Sequence, residues 1–420
     1  VIHPRSRPPA RPGLAGWRRA IAGVALIACE TAEPPDPAES PAAQAGPDSE
    51  VPVASALTLD AGDSAGDRFA WDLGDGRRVD GSTAEVSWST PGNYTVVLIA
   101  EGAGGARSTD ARVVSVYEPA VAPTPLTTGT IAETADGVWT VEPDADQVLL
   151  VAKDGTIRRI ATCDRPVTVT ASEVPGEALV ACAEGAILAY QADGSVREVA
   201  TRLGEVGGAI QAGGAVWWSA PGVGEVVADD GRITRVAAPD PRALAWVGGA
   251  VWAPSFRAAP DSDGVVLHPS DGRPPIALAR ELGPDSDTGS RGVFNLADAL
   301  AISPSGSRLY LGGLVANDAA GLARDGTTLT PETTVRAALR VVDLDAGAEI
   351  GSKFPDNQDR ISAVALSPRG TWLWAASPGT HKVVRYDAFT LDIAGSISDA
   401  GAGIDGLRVS ADGATLWVHA

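Results

Sequence analysis

Ile361-Ser362-Ala363-Val364-Ala365-Leu366-Ser367-Pro368-Arg369-Gly370, continued by Trp372-Leu373-Trp374 and Val383-Val384-Arg385-Tyr386-Asp387, is the stretch that decides the fold. A short apolar run stops at a Pro/Gly turn, an aromatic strand follows, and a third run leads to a polar turn, as consecutive antiparallel strands should. The same phrase returns as Ala301-Ile302-Ser303-Pro304-Ser305-Gly306 and as Val409-Ser410-Ala411-Asp412-Gly413. Its aromatic strand can be followed backwards through Gly249-Ala250-Val251-Trp252, Gly214-Ala215-Val216-Trp217 and Asp136-Gly137-Val138-Trp139. Trp139, Leu179, Trp217, Trp252, Tyr310, Trp374 and Trp417 then mark equivalent positions. Most of their spacings are roughly 40 residues, the length of one four-stranded sheet per repeat, and the two long ones, before Tyr310 and before Trp374, require insertions.

Each such sheet has two apolar faces and cannot bury both alone. Radial stacking against neighbours solves this and leaves only short edges, so the pattern predicts an all-β chain with a seven-bladed β-propeller over residues 125–420. The repeated tryptophans are expected between blades rather than in a ligand cage. The last unit stops at Ala420 just after its aromatic strand. Either the array continues beyond it, or an earlier strand near Thr127 to Ala132 completes the final blade.

Composition agrees with many tight turns between short strands. The 420 residues include 48 glycines and 31 prolines, yet 44% are hydrophobic, which fits two or three folded units better than disorder. With 53 acidic against 33 basic side chains the net charge is −20, and such a surface repels a nucleic-acid backbone. The one dense arginine cluster, Arg5, Arg7, Arg11, Arg18 and Arg19, precedes the apolar run Ile21–Ala28. A basic segment, a short apolar segment and small residues make an export signal over residues 1–28, too short to cross a bilayer as a helix.

Leu26-Ile27-Ala28-Cys29 resembles the bacterial lipobox, which implies cleavage before Cys29 and lipidation of its thiol. Residues 29–50, poor in large apolar side chains, read as a flexible tether. The chain is therefore expected outside the cytoplasm, lipid-anchored at the outer membrane or cell surface. In that oxidising compartment Cys163 and Cys182 can pair, or they stand as two small buried hydrophobes, because spacing alone does not place their Cα atoms.

Residues 51–117 form a separate unit of alternating strands. Trp71-Asp72-Leu73-Gly74-Asp75-Gly76, the turn Pro91-Gly92 and Tyr94-Thr95-Val96-Val97-Leu98 resemble the PKD domain, an immunoglobulin-like β-sandwich, with Leu73 where the family usually has Phe. The resemblance implies a spacer or contact module and supplies no catalytic residue. Asp72 and Asp75 are expected to cap the turn rather than hold a cation.

The C-terminal repeats resemble the YVTN family of bacterial propellers, most clearly over residues 296–420. The insertion containing Arg324-Asp325-Gly326 and Thr334-Val335-Arg336-Ala337 is similar to exported propellers that are often followed by a c-type di-haem domain. Such a domain would lie beyond residue 420 or in a partner, since this chain has no CxxCH. Gly137-Val138-Trp139-Thr140-Val141-Glu142-Pro143 with Asp154-Gly155-Thr156-Ile157 is similar to streptogramin lyase and related propeller lactonases, but their metal-binding residues have no matching positions here.

Only four histidines exist. His3 lies in the signal, and His268, His381 and His419 fall in different units, so neither a hydrolytic triad nor a three-histidine metal site is supported. Asp261-Ser262-Asp263 and Asp285-Ser286-Asp287 offer oxygen ligands for Ca²⁺ but lack EF-hand spacing, and solvated turns are the simpler reading. No catalytic, cofactor or metal residue is assigned. The expected function is non-catalytic binding or scaffolding of an envelope protein or glycan. The alternatives are the propeller module of a redox protein with a c-type cytochrome partner and a metal-dependent lactonase or lyase.

Overall fold

The computed structural model describes residues 40–230, 233–260, 262–286, 289–356 and 359–420. The export signal, Cys29 and the tether up to residue 39 lie outside them, as do Asp261 and Asp287. The regular structure of the described residues is β-strand apart from four short 3-10 turns and one α-helical turn at Pro331–Thr334, and the chain forms two compact units. The first contains Ala56–Val86 and Tyr94–Val113 together with residues 40–49; the second contains the described residues of Val114–Ala420 with two short earlier segments, Glu50–Ser55 and Ser87–Asn93.

In the first unit Leu57–Asp60 pairs with Thr83–Val86, and Arg68–Asp72 lies between Gly92–Glu101 and Arg78–Asp80. Alternation sends Trp71, Leu73, Leu59, Val96 and Leu98 inward, all fully buried, as a half-buried sheet requires. Asp72 accepts from the Gly74 amide at 3.0 Å, while Asp75 accepts from the Arg77 amide at 2.9 Å and from Arg77 Nε at 2.7 Å. Both carboxylates thus cap the hairpin turn. Folded structure also begins earlier than composition suggests. The Ala43 amide donates to Ser108 Oγ (3.1 Å), the Ala45 amide to Asp110 Oδ2 (2.7 Å), and Ala45 is buried. Residues 41–48, assigned above to the tether, are held by these backbone donors although they have little apolar surface to bury.

The second unit is a series of antiparallel sheets in chain order. Sheet I is Ile131–Thr134, Gly137–Glu142, Gln147–Ala152 and Ile157–Ala161; sheet II is Pro166–Ala171, Ala178–Cys182, Ala186–Tyr190 and Val196–Ala200. Sheet III is Gly208–Ala212, Ala215–Ala220, Glu225–Asp229 and Ile233–Ala237, and sheet IV is Ala245–Val247, Ala250–Pro254, Val266–Pro269 and Ile276–Ala277. Sheet V has the long strands Arg291–Ile302, Arg308–Ala316 and Val335–Asp343, flanked by Glu281–Leu282 and Ala348–Lys353. Sheet VI is Ala363–Leu366, Trp372–Ser377, Lys382–Asp387 and Ile393–Ile397, and sheet VII is the hairpin Gly406–Val409 with Leu416–His419.

Both faces of these sheets are used. In sheet II, Ala178, Val180 and Tyr190 pack with Trp139 and Val148 of sheet I, whereas Leu179, Ala181 and Ala189 pack with Ala209 and Trp218 of sheet III. The repeated positions fall in the second strand of their sheet, except Tyr310, which lies in the third strand of sheet V in chain order. Trp139, Leu179, Trp217, Trp252, Tyr310 and Trp374 each join the apolar cluster shared with the following sheet. Packing therefore sets the repeat, and fully burying one such side chain contributes about 1.5–3 kcal/mol. Close approach also restricts turns. Gly213, at φ +65°, would place a Cβ 2.7 Å from the Trp246 ring of sheet IV, and its left-handed backbone already disfavours other residues.

The segment near Thr127 to Ala132 does not pair with the last hairpin. Leu126–Thr127 instead pairs with Ala245–Val247, Thr127 opposite Ala245, and makes sheet IV five-stranded. Ile131–Thr134 pairs with Gly137–Glu142 in sheet I. Sheet VII keeps two strands among the described residues and meets sheet I through polar groups. Thr130 Oγ1 donates to the Asp405 carbonyl at 3.0 Å, and a Cβ on Gly406 would stand 2.3 Å from Thr130 Oγ1.

Candidate functional site

The lead strands of six sheets, or the residues that open them, and the long strand Arg291–Ile302 of sheet V line a cavity of about 880 Å³. Its wall combines small apolar residues, such as Ala171, Ala299 and Ala363, with charged side chains from each side. The segment before sheet I runs along this cavity. The Val121 amide donates to the Pro304 carbonyl (2.9 Å), the Thr128 amide to the Leu244 carbonyl (2.9 Å), and the Leu244 amide back to Thr128 Oγ1 (2.9 Å). The chain thus passes beside the lead strand of sheet IV, turns at Gly129 and returns as the lead strand of sheet I.

Charged side chains Glu133, Arg165, Glu205, Arg242, Asp298, Arg360, Asp405 and Arg408 line the cavity. Arg360 Nη1 donates to both carboxylate oxygens of Asp298, at 2.7 and 2.9 Å. Burial raises the Asp298 pKa, and the Arg360 guanidinium opposes that rise, because desolvation and an opposite charge act in contrary directions. The Arg242 guanidinium lies 4.2 Å over the Phe256 ring and donates from Nε to Asp240 at 3.3 Å. Arg408 Nε stands 3.9 Å from Glu133 Oε2, an oxygen that is buried and has no hydrogen-bond partner.

Outside the cavity lining, His419 in the last strand makes a further polar contact. Its Nδ1 lies 2.5 Å from Asp405 Oδ1 and its Nε2 lies 3.5 Å from Glu142 Oε1, so it bridges sheet VII and sheet I. Burial alone lowers its pKa, but the hydrogen bond to Asp405 and the two carboxylates outweigh burial and the net shift is upward. This arrangement favours an imidazolium ion clamped between two acids.

The other residues singled out in the sequence lie apart from one another. His268 sits in Val266–Pro269, where burial lowers its pKa. His381 closes the turn after Trp372–Ser377 in a left-handed conformation. Asp263 is largely exposed, 3.8 Å from Arg280, and Asp285 accepts from Asn317 Nδ2 at 2.8 Å. Cys163 and Cys182 are joined by a disulfide with Cα atoms 6.1 Å apart, which ties the segment after sheet I to the second strand of sheet II. Among the described residues no group of three or more His, Cys, Asp or Glu side chains is arranged to hold a metal ion, and no helix is long and apolar enough to cross a membrane. The charged lining of the cavity was not recognised in the sequence. Its signal there is a charged residue just before the lead strand of five sheets, at Arg165, Glu205, Arg242, Arg360 and Asp405.

Residues 38–116 match the PKD domain family. No curated protein sequence matches the chain. Among solved structures, a chain of Kuenenia stuttgartiensis Hydrazine Synthase is similar in fold, with a TM-score of 0.54 and 13% identity over 69% of this chain and 94% of that one. A chain of the Mitotic Checkpoint Complex gives a TM-score of 0.51 and 13% identity over 70% of this chain and 83% of that one. Streptogramin B lyase gives 0.49 and 14% identity over 71% and 92%. At these identities the likeness is one of fold. The chain carries a PKD-type domain followed by an all-β array of antiparallel sheets.

Proposed function

We propose that this chain is a binding module of a bacterial envelope redox assembly: a PKD-type spacer and a closed seven-bladed β-propeller, tethered by lipid at Cys29, that docks a c-type haem protein or domain and does no chemistry itself. The observation that carries the propeller reading is the handing of one large side chain per sheet to the next sheet, from Trp139 through Trp374, with sheets VII and I meeting at Thr130 and Asp405. Stacking of this kind buries two faces per sheet and leaves a central cavity. The cavity keeps accessible charge and shows only isolated ion pairs, an arrangement suited to recognition.

Two further observations support the wider reading. The match at residues 38–116 is to a domain type that serves as a spacer or contact module, and it follows an N-terminal segment resembling a lipoprotein signal. The fold likeness spans 94% of a chain of a hydrazine synthase, and that context prompts the redox-assembly reading.

The test is isolation of the full chain from its native envelope in mild detergent, followed by haem staining and identification of partners. A covalent haem band should accompany the chain, and Cys29→Ser should move both into the non-membrane fraction. A haem-free preparation that turns over a lactone with Ca²⁺, Mg²⁺ or Mn²⁺ overturns the proposal.

A further inference from the structure

Where the chain opens the lead strand of sheets II, III, IV, VI and VII, and within the long strand Arg291–Ile302 of sheet V, it presents a charged side chain to the cavity, and in chain order the sign alternates: Arg165, Glu205, Arg242, Asp298, Arg360, Asp405. Contacts between neighbouring sheets hold these positions at one mouth. The Ala183 amide donates to the Arg165 carbonyl (3.0 Å) and the Val206 amide to the Ala183 carbonyl (3.3 Å), which joins the openings of sheets II and III. Gly207 approaches sheet IV so closely that a Cβ would stand 3.0 Å from Arg242 Cα. Asp298 and Arg360 join sheets V and VI, and Ser362 Oγ donates to the Ile404 carbonyl at 2.5 Å to join VI and VII.

Half of this collar is already satisfied. Asp298 is taken by Arg360, and Asp405 by His419 and Thr130. The other half is open. Arg165 and Glu205 are exposed and form no ion pair with any described residue, although the Arg165 charge acts on Glu184; Arg242 pairs with Asp240 at 3.3 Å, acts on Asp298 and keeps its plane on Phe256, with its side chain still exposed. Sheets II, III and IV therefore present guanidinium, carboxylate and guanidinium in succession. Thr168 Oγ1, buried in the same cavity wall, has no hydrogen-bond partner, and a buried hydroxyl left unmatched is costly unless something bonds to it.

We propose that this mouth binds a short acidic peptide with a free amino terminus, its ammonium accepted by Glu205 and two carboxylates held by Arg165 and Arg242. Guanidinium groups bind carboxylates through paired N–H donors. The carboxylate between them selects a zwitterion over a polyanion, because a ligand with negative charge alone meets Glu205 at its centre. The cavity volume, about 880 Å³, is of the size that holds a ligand of a few residues. The inference concerns the cavity mouth and stands whether or not a haem partner is found.

The probe is the tripeptide Ala-Glu-Ala, titrated calorimetrically into the full chain at low salt. It should bind saturably, and N-acetylation should weaken it about tenfold or more, the scale of one lost charge-assisted contact. Glu205→Gln should weaken the free peptide and strengthen the acetylated one, which no longer meets a like charge, whereas Arg242→Ala should weaken both. Circular dichroism melting of each variant keeps loss of binding separate from loss of fold. Absence of saturable binding, equal affinity for the acetylated peptide, or full binding by a folded Glu205→Gln variant overturns the assignment.

Discussion

The boundary between sheets IV and V and the boundary between sheets VII and I are built from different chemistry. Between IV and V, Trp252, Val265, Leu267 and Ile276 meet Phe294, Leu300, Leu309 and Leu311, all buried. Between VII and I the contacts are Thr130 with Asp405, Arg408 with Glu133, and His419 with Glu142. Trp417, at the repeated position of sheet VII, lies opposite Arg408 and remains partly exposed. An apolar face responds to the loss of volume and ignores pH, whereas a polar seam responds to protons and salt. The difference teaches that the array's strength lies within the run of sheets and its adjustable joint lies where the run meets its own beginning.

The comparison breaks most severely at its apolar side. Trp252→Ala should cost about 3–5 kcal/mol, by cavity formation as well as lost burial, and a denaturant titration followed by fluorescence measures it. A loss no greater than that from Trp417→Ala in the polar seam would abolish the distinction. The disulfide between Cys163 and Cys182 gives the I–II boundary a covalent link that VII–I lacks. Reduction, or Cys163→Ser, should cost about 2–4 kcal/mol, read as a fall in the denaturation midpoint under dithiothreitol.

Substitutions in the seam should do less. Gly406→Val puts a Cβ where Thr130 Oγ1 already sits, and overpacking of this kind costs about 1–3 kcal/mol. Hydrogen exchange should show the loss as faster opening of Gly406–Val409 with the amides of Ala299–Ile302 unaffected. The proton sharpens the comparison further. His419 is raised above its ordinary 6.5 when folded, so its contribution is fully present below that unfolded value and is lost as pH rises through the folded one. Thermal stability of the wild type should therefore fall across this window, and His419→Asn should flatten the profile. A slope that survives His419→Asn assigns the titration to other groups. The smallest effect expected is from Arg408→Ala, whose half-exposed partner contact of 3.9 Å should be worth about 0.2–1 kcal/mol and shrink with salt.

Much of this architecture was legible because it repeats. Trp139, Trp217, Trp252 and Trp374 follow small turns in every unit, and a side chain that must fill the space before the next sheet leaves a visible period. Leu179 belongs to the series although it is not aromatic, since what matters is apolar volume at that register position. The cavity was not legible. Arg242 and Asp298 stand three residues before Ala245 and Ala301, the register partners of Trp252 and Tyr310, whereas Glu205 and Arg360 stand five before Ile210 and Ala365, the partners of Trp217 and Trp374, so the collar has no constant spacing to find. His419 and Glu142 come from opposite ends of the array, and nothing local in either strand announces the other. The start of the first unit was misplaced for a related reason, because Ala43 and Ala45 are fixed by backbone donors and leave no apolar signature.

The small strand Leu126–Thr127 bears on how the array can assemble. Its partner in sheet IV lies 116 positions later, at Leu244 beside Thr128, and the contact that brings the end of the array to its start spans 275 positions, from Thr130 to Asp405. Neighbouring sheets can form as they emerge, since each needs only residues close at hand, but closing such long loops carries an entropic cost before any contact rewards it. A chain made from its N-terminus must hold this segment unpaired through the synthesis of three sheets, then lay it inside a wall that is still incomplete. Chaperones that shield extended segments would act on residues 118–130 during that interval, and a kinetic trap would arise if the last sheet met the first before the segment had been seated.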